Sequence, residues 1–259
     1  MPFAFHPPSW VYPLLFATGF SAGLVDSIAG GGGIISVPVL LNLGLPPQLA
    51  LGTNKFQSSF GSMVASWHYV RRGLVDVRAC RLGILLTLAG ALLGTFAVQH
   101  VGSRFLERMI PLLLAVIVVY LIFQPRVGLE DRPARMGPAL FYGIFGTGLG
   151  FYDGFFGPGA GSFWAAAFVL LCGQNLTRAT AHTKVMNATS NLASLALFAA
   201  AGLVHLGAGA AMAIGQVAGA RLGAGLVVHR GARFVRPAFL AMAALTILRL
   251  LWINLATRH

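Results

Sequence analysis

Residues 23–33, Gly23-Leu-Val-Asp-Ser-Ile-Ala-Gly-Gly-Gly-Gly33, place an aspartate and four consecutive glycines within an otherwise apolar part of the chain. Glycine adopts backbone conformations that other residues avoid, so this stretch predicts a break in a helix rather than its continuation. The apolar run that follows, 34–44, is too short to cross a bilayer, which takes about 20 residues. A second glycine-rich stretch, 157–161, also leads into a short apolar run, 161–173. We therefore expect two broken helices or hairpins that turn inside the membrane.

The composition around these breaks is typical of an integral membrane protein. The 259 residues are 57% hydrophobic and 9% charged, with a mean hydropathy of +0.78, whereas a soluble domain carries about 25% charged residues. Most of the remaining apolar runs approach the length of a full span; they are 11–29, 54–70, 80–99, 105–123, 139–156, 183–201, 207–228 and 235–255. The first of them has no basic segment before it, which favours a retained helix over a signal peptide.

An internal repeat divides the chain into two halves. A shift of 129 residues aligns Lys55 with Lys184, Gly73-Leu-Val with Gly202-Leu-Val, and Gly90 and Gly94 with Gly219 and Gly223. A shift of 127 residues aligns Asp26 with Asp153. Such an ordered series indicates duplication. The sequence therefore predicts a first membrane repeat at 1–123, a polar linker at 124–138 and a second membrane repeat at 139–259.

The arginines indicate how the repeats are oriented. The net charge of +12 lies in short stretches between apolar runs, which is typical of cytoplasmic loops and argues against binding of nucleic acid. Loop 71–81 is basic, but its counterpart at 204–207 is not; conversely, loop 230–236 is more basic than its counterpart at 104–108. This exchange predicts inverted repeats with both termini external. The fold class is thus an all-α, polytopic membrane bundle of two inverted repeats, each with a glycine-broken helix or hairpin.

Two lysines are the leading candidates for an anion site. Each is predicted to open a helix and to share one helical face with polar residues: Lys55 with Ser58, Ser62 and Ser66, and Lys184 with Asn187, Asn191 and Ser194. Such a stripe indicates a bundle interior or a water path. The alternative is that both lysines lie near helix ends and extend to the membrane surface.

The glycines and aspartates of the two breaks are further candidates. Backbone N–H groups freed at Gly31, Gly32 and Gly159 would form an anion site beside a helix N-terminus, although small residues also allow close helix packing. Asp26 and Asp153 are the carboxylates that lie deep in apolar runs. Each is either a proton carrier or counter-ion, or a cap for the freed N–H groups.

The sequence gives little support for an enzymatic function. The segment Gly19-Phe-Ser21-Ala-Gly23 matches a hydrolase motif, but it lies in a membrane-type run rather than between a strand and a helix. The glycine clusters lack the strand–helix context of a nucleotide loop. Cys80 and Cys172 have no metal-binding or disulfide spacing. Arg221 either attracts the anion from the cytoplasmic side or extends to the membrane surface, and the second role is slightly favoured. We expect no enzyme activity, no cofactor and no metal.

Three segments together resemble the TauE/SafE family of sulfite exporters: residues 23–33, Gly52-Thr-Asn-Lys-Phe-Gln-Ser-Ser59 and Thr183-Lys-Val-Met-Asn-Ala-Thr-Ser-Asn191. The resemblance covers nearly the whole chain. It implies a bacterial inner-membrane permease for sulfite, sulfoacetate or related sulfur-containing anions. By position, it implies binding residues at Asn54, Lys55, Gln57, Ser58, Thr183, Lys184 and Asn187. Pro158 and Ala160 replace glycines in the second break, so the two half-sites need not bind equivalently.

The resulting hypothesis is a secondary transporter of small anions that works by alternating access. A passive anion channel is the alternative, because it would use similar basic groups. The expected partners are the anionic substrate and the lipid bilayer, with a homo-oligomer left open and no nucleic acid. Both half-helices would meet near the middle of the bilayer, with the two lysines beside them.

Overall fold

The computed structural model describes residues 8–123 and 130–231, and within these ranges all regular secondary structure is helical. The helices are α1 (Val11–Ala29), α2 (Gly33–Asn42), α3 (Pro47–Arg71), α4 (Arg81–Gln99), α5 (Ser103–Phe123), α6 (Pro138–Phe141), α7 (Thr147–Phe155), α8 (Ala160–Leu171), α9 (Leu176–Ala200) and α10 (Leu206–Arg230). A π-helical segment, Tyr142–Gly146, joins α6 to α7. The predicted all-α class is confirmed. The tenth apolar run, 235–255, the arginines of loop 232–236 and residues 124–129 of the linker lie outside the described residues.

Three helices of the described part are long and apolar enough to cross a membrane, namely α1, α4 and α10. The helices that follow the glycine breaks, α2 and α8, are apolar but have only 10 and 12 residues. Both are thus too short for a full span, as the sequence predicts.

Both predicted breaks are present, and glycine conformation explains them. Gly30 and Gly31 have φ angles of 72° and 108°, and Gly157 and Gly159 have φ angles of 94° and 80°. Residues with a β-carbon rarely adopt such positive values. The chain therefore leaves α1 and α7 at these glycines and starts a new helix within a few residues.

The two lysines do not open their helices, so that expectation is wrong. α3 begins at Pro47 and α9 at Leu176, each about two turns before its lysine. Pro47 suits the first turn of a helix because it has no N–H to leave unpaired. The Asn175 side chain caps α9 by accepting a hydrogen bond from the Arg178 N–H at 3.0 Å. Gly52, Thr53 and Asn54 in α3, and the mixed segment 177–183 in α9, precede the lysines, so a search for apolar runs missed the true starts.

The helices of the two segments, 1–123 and 139–259, pack against each other rather than forming separate bundles. α1 packs along α10, α7 along α4, and α3 along both α9 and α10, while α9 also contacts α4. Glycines permit the closest approaches: a β-carbon at Gly19 would overlap the Met212 carbonyl, and one at Gly94 would overlap Phe151. The helix before each glycine break thus packs against a long helix of the other segment: α1 against α10, and α7 against α4. The domain boundaries and the opposite orientation of the repeats in a membrane stay predictions.

Candidate functional site

Both lysines lie inside the protein, about two turns into the long helices α3 and α9. Lys55 is 1% exposed and Lys184 is 0% exposed. Side chains so deeply enclosed cannot reach the membrane surface, which removes the surface-anchor alternative. They are also the only lysines of the chain, since every other residue in the Lys+Arg total is arginine.

Each lysine forms an ion pair with the aspartate of the other half. Lys55 Nζ lies 2.5 Å from Asp153 Oδ1, and Lys184 Nζ lies 3.0 Å from Asp26 Oδ2. A buried charge needs a partner of opposite sign, because the low-dielectric interior penalises it otherwise. The two aspartates therefore act as counter-ions in this state, and the site formed by these four side chains has no net charge.

Asp153 is held by additional hydrogen bonds. The Ser190 hydroxyl donates to Asp153 Oδ2, and Lys55 Nζ also donates to Asn191 Oδ1 at 3.2 Å. Asn191 in turn donates to the Ser62 hydroxyl at 3.4 Å. This half of the site is a connected polar network that joins α3, α7 and α9.

Asp26 also caps the first glycine break. Its Oδ1 accepts hydrogen bonds from the N–H groups of Gly31 and Gly32 at 3.1 and 3.4 Å. These are the backbone groups that the break releases from α1, so the capping role considered from the sequence is present together with the counter-ion role.

The two breaks lie against each other. A β-carbon at Gly30 would lie 2.6 Å from Gly161 Cα, and one at Gly33 would lie 3.1 Å from Pro158 Cα. The Ser162 hydroxyl is 3.2 Å from the Gly30 carbonyl oxygen, to which it donates. The half-helices α2 and α8 thus begin beside each other, as the sequence predicts, with the ion pairs around them.

A small cavity of about 20 Å³ lies at this meeting point. Most predicted site residues line it: Asp26, Gly31, Gly32, Asn54, Lys55, Ser58, Asp153 and Asn187. Such a volume holds about one water molecule. A larger anion could therefore enter only when the surrounding side chains move.

Four predicted site residues do not line this cavity. Lys184 lies behind it, paired with Asp26, and Thr183 is buried beside Lys184 in the chain. Gln57 supports the cavity wall by donating to the Asn54 side-chain oxygen at 2.9 Å. Gly159 faces away, because a β-carbon there would lie 2.6 Å from Ile117 Cγ2. The glycine that does reach the lysine is Gly157, where a β-carbon would lie 3.0 Å from Lys55 Nζ.

Ser190 and Asn191 belong to the site but were not among its predicted members. Asn191 is part of the polar stripe noted in the sequence, and Ser190 follows Asn187 at helical spacing, which was the available signal. Within the described residues, no group of three His, Cys, Asp or Glu side chains could hold a metal ion.

Comparison with known proteins gives one family and several relatives. The family model "Sulfite exporter TauE/SafE" matches residues 15–250. "Probable membrane transporter protein YfcA" of Escherichia coli (strain K12) is 44% identical over 92% of this chain and 89% of its own length. A "Probable membrane transporter protein" of Haemophilus influenzae is 44% identical over 89% of this chain and 90% of its own. A third relative, "Probable membrane transporter protein ORF9" of a Sinorhizobium species, is 39% identical over 96% and 94%. No solved structure matches the chain at a significant level.

Proposed function

The chain belongs to the sulfite exporter TauE/SafE family of membrane transporters, and on that premise we propose that it is a secondary transporter of small anions, with sulfite and related sulfur-containing anions as the substrate class. The observation that carries this proposal is the pair of buried lysines beside the junction of the two glycine breaks. A small oxyanion that leaves water needs compensating charge and hydrogen-bond donors, and the lysines supply both.

The balance of charge favours a carrier over a channel. The two lysines and two aspartates already neutralise each other, so an anion that simply joined them would place one uncompensated charge in a low-dielectric site. It is accepted only if the aspartate that it displaces from a lysine moves into contact with water, or if a proton arrives together with it. Both routes couple binding to a rearrangement, which is how a carrier works.

The small cavity supports the same conclusion. At about 20 Å³ the cavity beside Asp26, Lys55 and Asp153 is too small for an oxyanion to pass without movement of the surrounding side chains. We propose that movement of one half of the protein against the other exposes the site to each side in turn. The setting is the bacterial inner membrane, with several spans and both termini external.

Counterflow of labelled sulfite into proteoliposomes tests this function. The wild-type protein should show saturable exchange that is slow compared with channel conductance. Lys55→Gln and Lys184→Gln replace the ammonium group by an amide, which still donates hydrogen bonds but has no charge. Each variant should stop transport or raise the half-saturation concentration. At a lysine that contacts the anion directly, the lost charge-assisted hydrogen bond contributes roughly 1.5–3 kcal/mol, which corresponds to about tenfold or more in binding.

Arg132→Gln is the control, because Arg132 lines a separate cavity beside the linker and should affect exchange little. Large conductance in the wild-type protein would identify a channel instead. An absence of any sulfur-anion flux, in protein that inserts and purifies normally, would reject the proposed substrate class.

A further inference from the structure

The two ion pairs differ in how completely they are hydrogen-bonded. In the Lys55–Asp153 pair, both carboxylate oxygens accept a hydrogen bond, one from the lysine and one from Ser190. Lys55 has a second acceptor in Asn191. Every part of this pair is thus held by a neighbour.

The Lys184–Asp26 pair is held more loosely. Lys184 Nζ is at ion-pair distance from Asp26, 3.0 Å, but outside hydrogen-bond geometry, and it makes no other hydrogen bond to the described residues. The Asp26 side chain is 12% exposed, compared with 5% for Asp153, and it lines the cavity. Asp26 therefore stands between the cavity and Lys184.

Two residues close to Lys184 in the sequence of α9 carry unpaired polar atoms. The hydroxyl of Thr183 and the side-chain oxygen of Asn187 are buried and make no hydrogen bond within the described part of the chain. Asn54, the counterpart of Thr183 in the first half, is by contrast paired, since it accepts from Ser36 at 2.5 Å. Buried polar groups without partners are unfavourable, so native proteins retain few of them, and a ligand or another state often completes them.

Gln216 on α10 adds a further unpaired group on the same side. It is 1% exposed, and neither its side-chain oxygen nor its nitrogen has a partner among the described residues. Its backbone packs against Gly23, one turn before Asp26, and its side chain occupies the space beside Gly61. At the repeat offset of 129 residues, Gly61 corresponds to Ser190, which donates to Asp153 in the other half. Gly61 has no hydroxyl to donate as Ser190 does. The unpaired Gln216 amide occupies the space beside Gly61 and could donate instead.

From these contacts we infer that the Lys184–Asp26 pair is the one that opens, and that the substrate oxyanion replaces Asp26 at Lys184. The Lys55–Asp153 pair stays closed and holds the two halves together. The oxyanion accepts hydrogen bonds from Lys184, the Thr183 hydroxyl and the Gln216 amide, while the Asp26 carboxylate turns toward the cavity. This inference rests on the proposed function, because it assigns roles within the same site.

Two double variants distinguish the pairs, because each removes both charges of one pair and leaves no buried charge alone. Lys184→Gln/Asp26→Asn should raise the half-saturation concentration for sulfite at least about tenfold and change thermal stability little. Lys55→Gln/Asp153→Asn should lower the unfolding temperature and the maximal rate, with a change of only a few-fold in half-saturation. Both are measured by counterflow under anaerobic conditions and by thermal unfolding of the purified protein.

Two single variants test whether Asp26 competes with the substrate for Lys184 and whether the Gln216 amide binds the substrate. Asp26→Asn keeps an acceptor for the break but removes the rival anion, so sulfite should bind at least about tenfold more tightly. Without sulfite this variant should be less stable than the wild-type protein, because the buried Lys184 loses its partner. Gln216→Leu should raise the half-saturation concentration several-fold while stability stays equal or rises, because it removes unpaired buried atoms. A purely structural glutamine would instead give a lower unfolding temperature with unchanged half-saturation.

The inference is overturned if the half-saturation concentration rises at least about tenfold in Lys55→Gln/Asp153→Asn but not in Lys184→Gln/Asp26→Asn. An equal rise in both double variants overturns it too. Tighter binding in Asp153→Asn but not in Asp26→Asn would overturn it as well. If the wild-type protein exchanges no sulfur anion, the proposed function fails before these variants are compared. The two failures are thus distinguishable.

Discussion

Replacing Gly161 by alanine tests whether the two glycine breaks meet. Gly161 is the second residue of α8, and an added β-carbon would lie 2.7 Å from Gly30 Cα and 2.9 Å from Asn187 Nδ2. Backbone atoms cannot turn aside as a flexible side chain can, so the helix must shift. Overpacking of this kind destabilises a protein by about 1–3 kcal/mol. The shift would also displace Asn187, which lines the cavity.

Gly225→Ala is the matched control, because Gly225 lies within α10 and a β-carbon there meets nothing within 4 Å. Alanine favours a helix over glycine by up to about 1 kcal/mol, so this variant should be unchanged or slightly more stable. The two variants should thus differ by about 2 kcal/mol or more, or by about 4–8 °C in unfolding temperature.

Thermal unfolding of both proteins in detergent micelles, together with sulfite counterflow, provides the comparison. We expect Gly161→Ala to lose both stability and exchange, and Gly225→Ala to retain both. Equal stability of the two variants would show that the breaks do not touch, and the central site would then have to be placed differently.

Further predictions concern the membrane topology, the cost of breaking a buried or an exposed ion pair, and proton coupling. Cysteines at positions 72 and 104, in place of Arg72 and Arg104, should be labelled from the cytoplasmic and the external side respectively; labelling from one side would contradict inverted repeats. Asp153→Asn leaves a buried lysine without its partner and should destabilise the protein by about 3–5 kcal/mol. Arg178→Gln, which breaks a pair whose side chains are 54% and 48% exposed, should change stability by less than about 1 kcal/mol. If Asp26 carries a coupled proton, Asp26→Asn should abolish the response of transport to a pH gradient while exchange continues, and an unchanged response would leave this residue only its capping and counter-ion roles.

Local chemistry made much of the fold predictable from the sequence. Four consecutive glycines disfavour a continuous helix, because glycine loses much conformational entropy there. The break at Gly30 and Gly31 follows from their freedom to adopt positive φ. A lysine with polar residues at helical spacing identified the buried face of α3 and of α9. Apolar length distinguished the short helices α2 and α8 from the full spans.

The pairing of the charges could not be predicted in this way. Lys55 and Asp153 are 98 residues apart, and no local pattern shows which helix of one half faces which helix of the other. The helix starts were missed because polar residues within the first two turns of α3 and α9 lower the hydropathy there. Gly159, and not Gly157, was among the predicted site residues, but only the path of the backbone decides which of them faces the lysine.

The choice of lysine at this site also has a physical reason. Elsewhere the chain uses arginine, whose planar guanidinium holds a carboxylate through two parallel hydrogen bonds. A lysine ammonium is a compact charge with three donors on a flexible stem, so it can exchange one oxygen partner for another without losing a fixed geometry. At Lys184 the exchange would be between the Asp26 carboxylate and a substrate oxyanion, two ligands of similar charge and hydrogen-bonding capacity. A transporter needs such near-equivalence, because an anion that bound much more tightly than the aspartate would not be released on the other side.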